Sequence, residues 1–204
     1  MAATLHSPAM KPLRTLLVLA ALTLTAVAQP PPGAKPATPG APGAAPAKAK
    51  PYSASDTHIY LTIADGIQFQ LGMSQRLRGK YKDGPAEMLA FAAKTNKEST
   101  ELWTPGVDAA MAHGVEGKKI PQDMSKNDKA ALAKFGTNKD EKKWELAIFE
   151  FYTKEAKKNA GEAEKGAKAA QDADLKAFAE KTAALLKSQE DSIEAKFKEI
   201  KAKK

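Results

Sequence analysis

Three imidazoles, His6, His58 and His113, and no cysteine make up the strong nitrogen and sulfur ligands of this 204-residue chain. A chain without cysteine forms no disulfide, presents no thiolate nucleophile, carries no lipidated N-terminal cysteine and builds no cysteine-based zinc site. Thr62 follows His58 by one helical turn, yet a lone hydroxyl beside an imidazole is ordinary helix surface. Gly-x-Ser-x-Gly elbows and phosphate-cradling glycine loops are absent from the sequence. A di-iron bundle needs Glu-x-x-His pairs facing inward, and no Glu-x-x-His occurs. Glu98, Glu145 and Glu155 remain as oxygen ligands for a hard cation, with Glu155 four residues after Phe151. Carboxylates at such spacings usually flank a core, and no loop has calcium-ligand spacing. The sequence therefore assigns no catalytic, cofactor-binding or metal residue and no cofactor, and it points away from an enzyme. Gln189 interrupts the apolar repeat of the last helix and is expected as a buried, hydrogen-bonded residue that fixes helix register. His58 is expected on the surface of a first turn and His113 at a helix end beside Gly114.

The elements that must position these residues are helices. β-Branched residues are sparse and apolar residues recur at three and four, which predicts an all-α domain over residues 54–204. A first helix is expected from about Asp56, capped by Ser55 or Asp56, with Tyr60, Ile63, Ala64, Ile67 and Leu71 inward; Asp83-Gly84-Pro85 makes the turn. A second helix runs from about Pro85 with Met88, Phe91, Ala92, Thr95, Leu102 and Trp103 inward. Thr104-Pro105 is expected to kink and restart it, through about Ala112. A polar crossover punctuated by Gly114, Gly117, Pro121 and Gly136 follows, with a short helix over residues 127–135. The third long helix begins near Asn138 and carries Trp144, Ala147, Ile148, Phe151 and Tyr152, after which its stripe fades into alanine. The fourth begins after Gln171-Asp172-Ala173 and holds Leu175, Phe178, Ala179, Thr182, Leu185, Leu186, Ile193, Phe197 and Ile200 at the same spacing. Four such faces suit a four-helix up-down bundle; an extended coiled-coil hairpin is the alternative, because the last helix keeps heptad-like spacing.

The N-terminus reads as a targeting segment. Lys11 and Arg14 precede the apolar run 16–27, which ends in Ala26-Val27-Ala28. That run is well short of the roughly 20 residues that span a bilayer, so residues 1–28 are expected to be a signal peptide cleaved after Ala28, with no transmembrane span left afterwards. Met1 and Met10 both leave a sufficient basic start. Residues 29–53 are almost entirely Pro, Ala, Gly and Lys and read as a disordered linker.

Charge narrows the partners. Of the formal net charge of +8, two units lie in Lys11 and Arg14 and three in Lys35, Lys48 and Lys50. The three that remain do not make a nucleic-acid footprint. Lysines of the C-terminal half alternate with glutamates, as in Glu150/Lys154, Glu164/Lys168 and Glu194/Lys198, the spacing of a solvated helical face. Lys196, Lys198, Lys201, Lys203 and Lys204 leave a small excess at the end, as expected of a frayed helix terminus.

The segments Ala64-Asp65-Gly66, Gln68-Phe69-Gln70-Leu71-Gly72, Met88-Leu89-Ala90-Phe91-Ala92, Trp144-Glu145 and Leu175-Lys176-Ala177-Phe178-Ala179-Glu180-Lys181-Thr182 carry a family resemblance over about residues 56–190. The chain resembles the bacterial exported domain-of-unknown-function family 4142, whose members are labelled outer-membrane proteins. The resemblance implies a ferritin-like up-down bundle with a long crossover and polar residues, histidines among them, along its interior. Here the matching positions depart from that pattern: Gln68 and Gln70 stand for glutamates, Glu98-Ser99 for Asp-His, and Ala156 and Gln189 for histidines.

These readings converge on an exported protein of the bacterial periplasm or exterior, a non-catalytic binding or structural module for an envelope or surface partner. A ferritin-like metal or redox protein with unrecognised carboxylate ligands, and an amphipathic protein of lipid surfaces, are the alternatives. No motif names the partner or an oligomeric state.

Overall fold

A computed structural model of the protein describes residues 49–136 and 140–203. The signal-peptide reading of residues 1–28 and most of the linker lie outside the described residues. Five α-helices account for most of the rest: α1 (Ala54–Lys80), α2 (Ala86–Ala112), α3 (Lys126–Ala133), α4 (Glu141–Ala169) and α5 (Ala173–Ala202). A single 3-10 turn, Gly117–Lys119, lies in the crossover, and there is no strand among the described residues.

Helix starts follow the capping chemistry of the sequence. Asp172 Oδ1 accepts from the Asp174 and Leu175 N–H groups and starts α5; Asp140 caps α4 through the Lys143 N–H, and Ser125 caps α3 through that of Asp128. At α1 the expectation was two or three residues late. Ser53 is the cap, accepting from the Asp56 N–H at 3.0 Å while its hydroxyl donates to Asp56 Oδ2 at 2.9 Å. Residues 50–53, read as the end of the linker, belong to the fold, with the Tyr52 N–H donating to the His113 carbonyl at 3.0 Å. Helix α2 carries Pro105 inside its span and continues through it. Thr104 does not cap a restart; its hydroxyl donates back to the Thr100 carbonyl at 3.4 Å. Gly114 ends α2 with φ of +83°, the left-handed conformation that favours glycine, and the Val115 N–H returns to the Ala110 carbonyl.

The long helices pack as two hairpins, α1 with α2 and α4 with α5, the second contact being the more extensive. The hairpins meet chiefly through α1 and α4, which run antiparallel: Tyr81 reaches Glu145 at one end, and Ile63 packs against Gly166 toward the other. Helices α2 and α5 also run antiparallel, with Ser99 meeting Gln189 and Glu87 meeting Lys203. Phe69, Met73, Leu77, Trp144, Ile148, Phe149, Tyr152 and Ile193 fill the aromatic half of the core. Burial of one such side chain stabilises by about 1.5–3 kcal/mol. Toward the other end the alanine tail of α4 packs closely: Ala156, Ala160, Ala163 and Ala167 are buried, and a Cβ at Gly166 would stand 2.9 Å from Ile63 Cδ1.

Candidate functional site

The polar residues inside the bundle form a layer near its middle. Gln70 on α1 is fully buried and accepts from the Tyr152 hydroxyl of α4 at 2.7 Å. One turn further along α1, the Ser74 hydroxyl donates to the Leu71 carbonyl and accepts from the Asn96 amide of α2 at 3.1 Å. Gln189 on α5 is buried as expected, and its amide nitrogen reaches Ser99 Oγ at 3.3 Å and Glu98 Oε2 at 3.4 Å. Gln68, Gln70, Ser99, Ala156 and Gln189, the positions singled out by the family resemblance, are therefore all buried, with Glu98 at the rim.

The donor set at these positions does not fit a metal of the ferritin kind. Three carboxamides, a serine hydroxyl, an alanine and one rim carboxylate replace the inward glutamates and histidines that such a centre needs. Gln70 Nε2, a donor, and Gln189 Oε1, an acceptor, have no protein partner. Nor do the three glutamates proposed as cation ligands converge. Glu145 accepts from the Tyr81 hydroxyl at 2.5 Å, and Glu155 pairs with Lys158 at 3.0 Å. They stand ten residues apart on one helix, about 15 Å along its axis. Glu98 pairs instead with Lys94. His58 is exposed and meets Thr62 only through its own backbone carbonyl, which accepts the Thr62 hydroxyl at 3.0 Å.

A second cluster, at the end where α1 begins and α2 finishes, had no signal in the sequence beyond His113 at a helix end. His113 is the C-cap of α2 and is 6% exposed. Its ring stacks on Tyr52, with centroids 4.3 Å apart and planes 17° from parallel. Nδ1 lies 2.6 Å from the Lys50 carbonyl oxygen and 3.8 Å from Asp172 Oδ2, and Nε2 lies 3.3 Å from Asp174 Oδ2. Asp56, also buried, joins this end by accepting from the Gln171 N–H at 2.9 Å. Burial, reinforced by Asp172, Asp174 and Asp56, pushes the Tyr52 phenol up to about 12. Among the described residues, His113, Asp172 and Asp174 are the one set of three potential metal ligands whose donor atoms lie within 4.8 Å of one another.

At the opposite end, a cleft of about 600 Å³ opens between the α1–α2 turn and the start of α4, lined by Tyr81, Glu87, Glu145, Lys196 and Lys203 among others. Its charges meet each other: Lys203 pairs with Glu87, Lys196 with Glu199, and Lys80 with Glu141 just outside. Of the three glutamate–lysine pairs expected on the helix faces, Glu194 and Lys198 meet at 2.8 Å. The apolar faces of α4 and α5 are turned inward, and Met111 is the one large apolar side chain that is exposed among the described residues. No described helix is long and apolar enough to cross a membrane. Compared with protein-family models, curated proteins and solved structures, the chain has no match in any of the three.

Proposed function

We infer that the chain is an exported protein of the bacterial envelope, periplasmic or extracellular, whose helical bundle serves as a non-catalytic binding or structural module. Its partner in this reading is an envelope or surface component, not nucleic acid. The basic start and apolar run of residues 11–28 support export after cleavage at Ala28. The reading includes a ferritin-like four-helix up-down arrangement with residues 113–137 as the crossover, and kinship with the domain-of-unknown-function family 4142.

The observation that carries it is the chemistry of the interior. Mid-bundle polar side chains hydrogen-bond to one another across helices, as Tyr152 does to Gln70 and Gln189 to Ser99, where a metal or redox bundle would present carboxylates and imidazoles. Cross-helix amide and hydroxyl bonds fix register and specify one packing. The lipid-surface alternative requires α4 and α5 to open faces that are buried against each other.

Replacing Gln189 by Leu separates a register residue from a ligand. The reading expects a folded protein whose stability changes by less than about 1 kcal/mol in either direction, since one orphaned acceptor is removed along with weak bonds. Loss of a bound metal on Gln189→Leu would overturn it. Mass spectrometry of periplasmic and medium fractions tests export, the expected species beginning at Gln29; retention of residues 1–28 in the mature protein would contradict it.

A further inference from the structure

We propose that the end of the bundle where α2, α5 and residues 50–52 meet binds one divalent transition-metal ion of the zinc class, ligated by His113, Asp172 and Asp174. The Lys50 carbonyl, 2.6 Å from His113 Nδ1, only accepts, so Nδ1 carries the hydrogen. Nε2 is then the ring nitrogen left to face Asp174 Oδ2, 3.3 Å away. Either a proton or a metal ion fills the contact between this nitrogen and the carboxylate. The far side of the ring is arranged as in metal-bound histidines, whose second nitrogen donates to a carbonyl or carboxylate and so fixes tautomer and orientation. This imidazole is more than nine-tenths buried and aimed into the cluster.

The surroundings favour a doubly charged ion over a proton. Asp172 commits Oδ1 to the cap of α5 and leaves Oδ2 3.8 Å from His113 Nδ1. Asp56 brings a third carboxylate to the same end. Among the described residues, no lysine or arginine forms an ion pair with any of the three; the ion pairs that Asp172 and Asp174 make are with His113. One proton on His113 would leave three carboxylates against a single positive charge. The Nε2 to Oδ2 separation of 3.3 Å also matches the edge spanned by two ligands each about 2.0 Å from a tetrahedral ion. Asp172 Oδ2 stands nearer the Nδ1 edge of the ring, so its carboxylate has to turn toward the Nε2 side to join the same ion, within a cluster whose donor atoms lie within 4.8 Å of one another. Asp174 has a side chain 77% exposed, which leaves an entry path from solvent and a fourth position for water. An imidazole with carboxylates suits zinc and its neighbours better than calcium. The ion would fasten residues 50–52, which hold His113 through the Lys50 carbonyl and the stacked Tyr52 ring, to the start of α5.

The test is calorimetric titration of the untagged, chelator-treated protein with zinc chloride at neutral pH, with cobalt spectra as a second readout. The expected result is one zinc per chain and a rise in Tm, with binding weakened about tenfold or more in Asp174→Asn and in His113→Gln. His58→Ala, at an exposed histidine elsewhere, leaves binding unchanged. Asp174 lies on the surface, so its variant keeps the wild-type circular dichroism spectrum. Equal zinc affinity in wild type and Asp174→Asn overturns the proposal. So does failure to bind zinc together with a protonated His113 Nε2 in the nitrogen NMR spectrum, which would assign the position to a proton.

Discussion

Tyr152 and Gln70 show how one buried pair constrains the interior. The phenol is wholly buried and its hydroxyl donates to Gln70 Oε1, while Gln70 Nε2 has no protein partner. Tyr152→Phe removes the one side-chain bond that the Gln70 carboxamide makes and leaves a buried acceptor unpaired. The expected cost is about 1–3 kcal/mol in urea unfolding, with helix content unchanged. A neutral effect would mean that the pair does not hold the mid-bundle layer. Asp56 acts similarly at the bundle end, joining the Ser53 cap of α1 to the Gln171 N–H before α5.

Whole helices were the most legible level of the sequence. The three-four repeat of α5, the Asp83-Gly84-Pro85 turn and the short α3 are within about two residues of where periodicity and turn residues put them, because each depends on residues within one or two turns; the Asp172 cap of α5 was not anticipated. The start of α1 was misplaced because Ser53, Ser55 and Asp56 are all good caps. What selects Ser53 is Asp56, which accepts from the Ser53 hydroxyl and also holds Gln171, 115 residues away. Pro105 was expected to kink α2, and the helix carries it. The cluster around His113 was illegible for a related reason: His113 and Asp174 are 61 residues apart and meet only because α4 and α5 fold back on each other. The stripe of α4 fades into alanine beyond Tyr152, and in the structure that tail packs closely against α1. Gly166→Val places a branched side chain where a Cβ alone would already stand 2.9 Å from Ile63 Cδ1 and 3.0 Å from Ile59 Cγ2. Overpacking there should cost about 1–3 kcal/mol by thermal or chemical denaturation, and an unchanged midpoint would show that α1 and α4 are not held together at this point.

For the molecule as a whole, alkaline pH is the most direct probe of the core. Burial pushes the Tyr60, Tyr81 and Tyr152 phenols above the ordinary 10.0, and the bond to Glu145 adds to the effect at Tyr81. The fold favours their neutral forms, so the unfolded chain ionises first. Their contribution is fully present below pH 10.0 and is lost as pH rises above it, where the unfolded state binds fewer protons. Thermal melts should hold a constant midpoint up to about pH 10 on this account and fall steeply beyond, less steeply in Tyr152→Phe. A midpoint flat to pH 12 would mean that these phenols ionise equally in both states. The central claim, that the bundle interior is a structural layer and not a metal centre, is tested most directly by elemental analysis of the His113→Ala protein purified without chelator. That variant removes the proposed bundle-end site and leaves the mid-bundle positions intact. The account predicts a folded helical protein with no stoichiometric metal; stoichiometric iron or manganese persisting in it would contradict the account and place a metal in the interior.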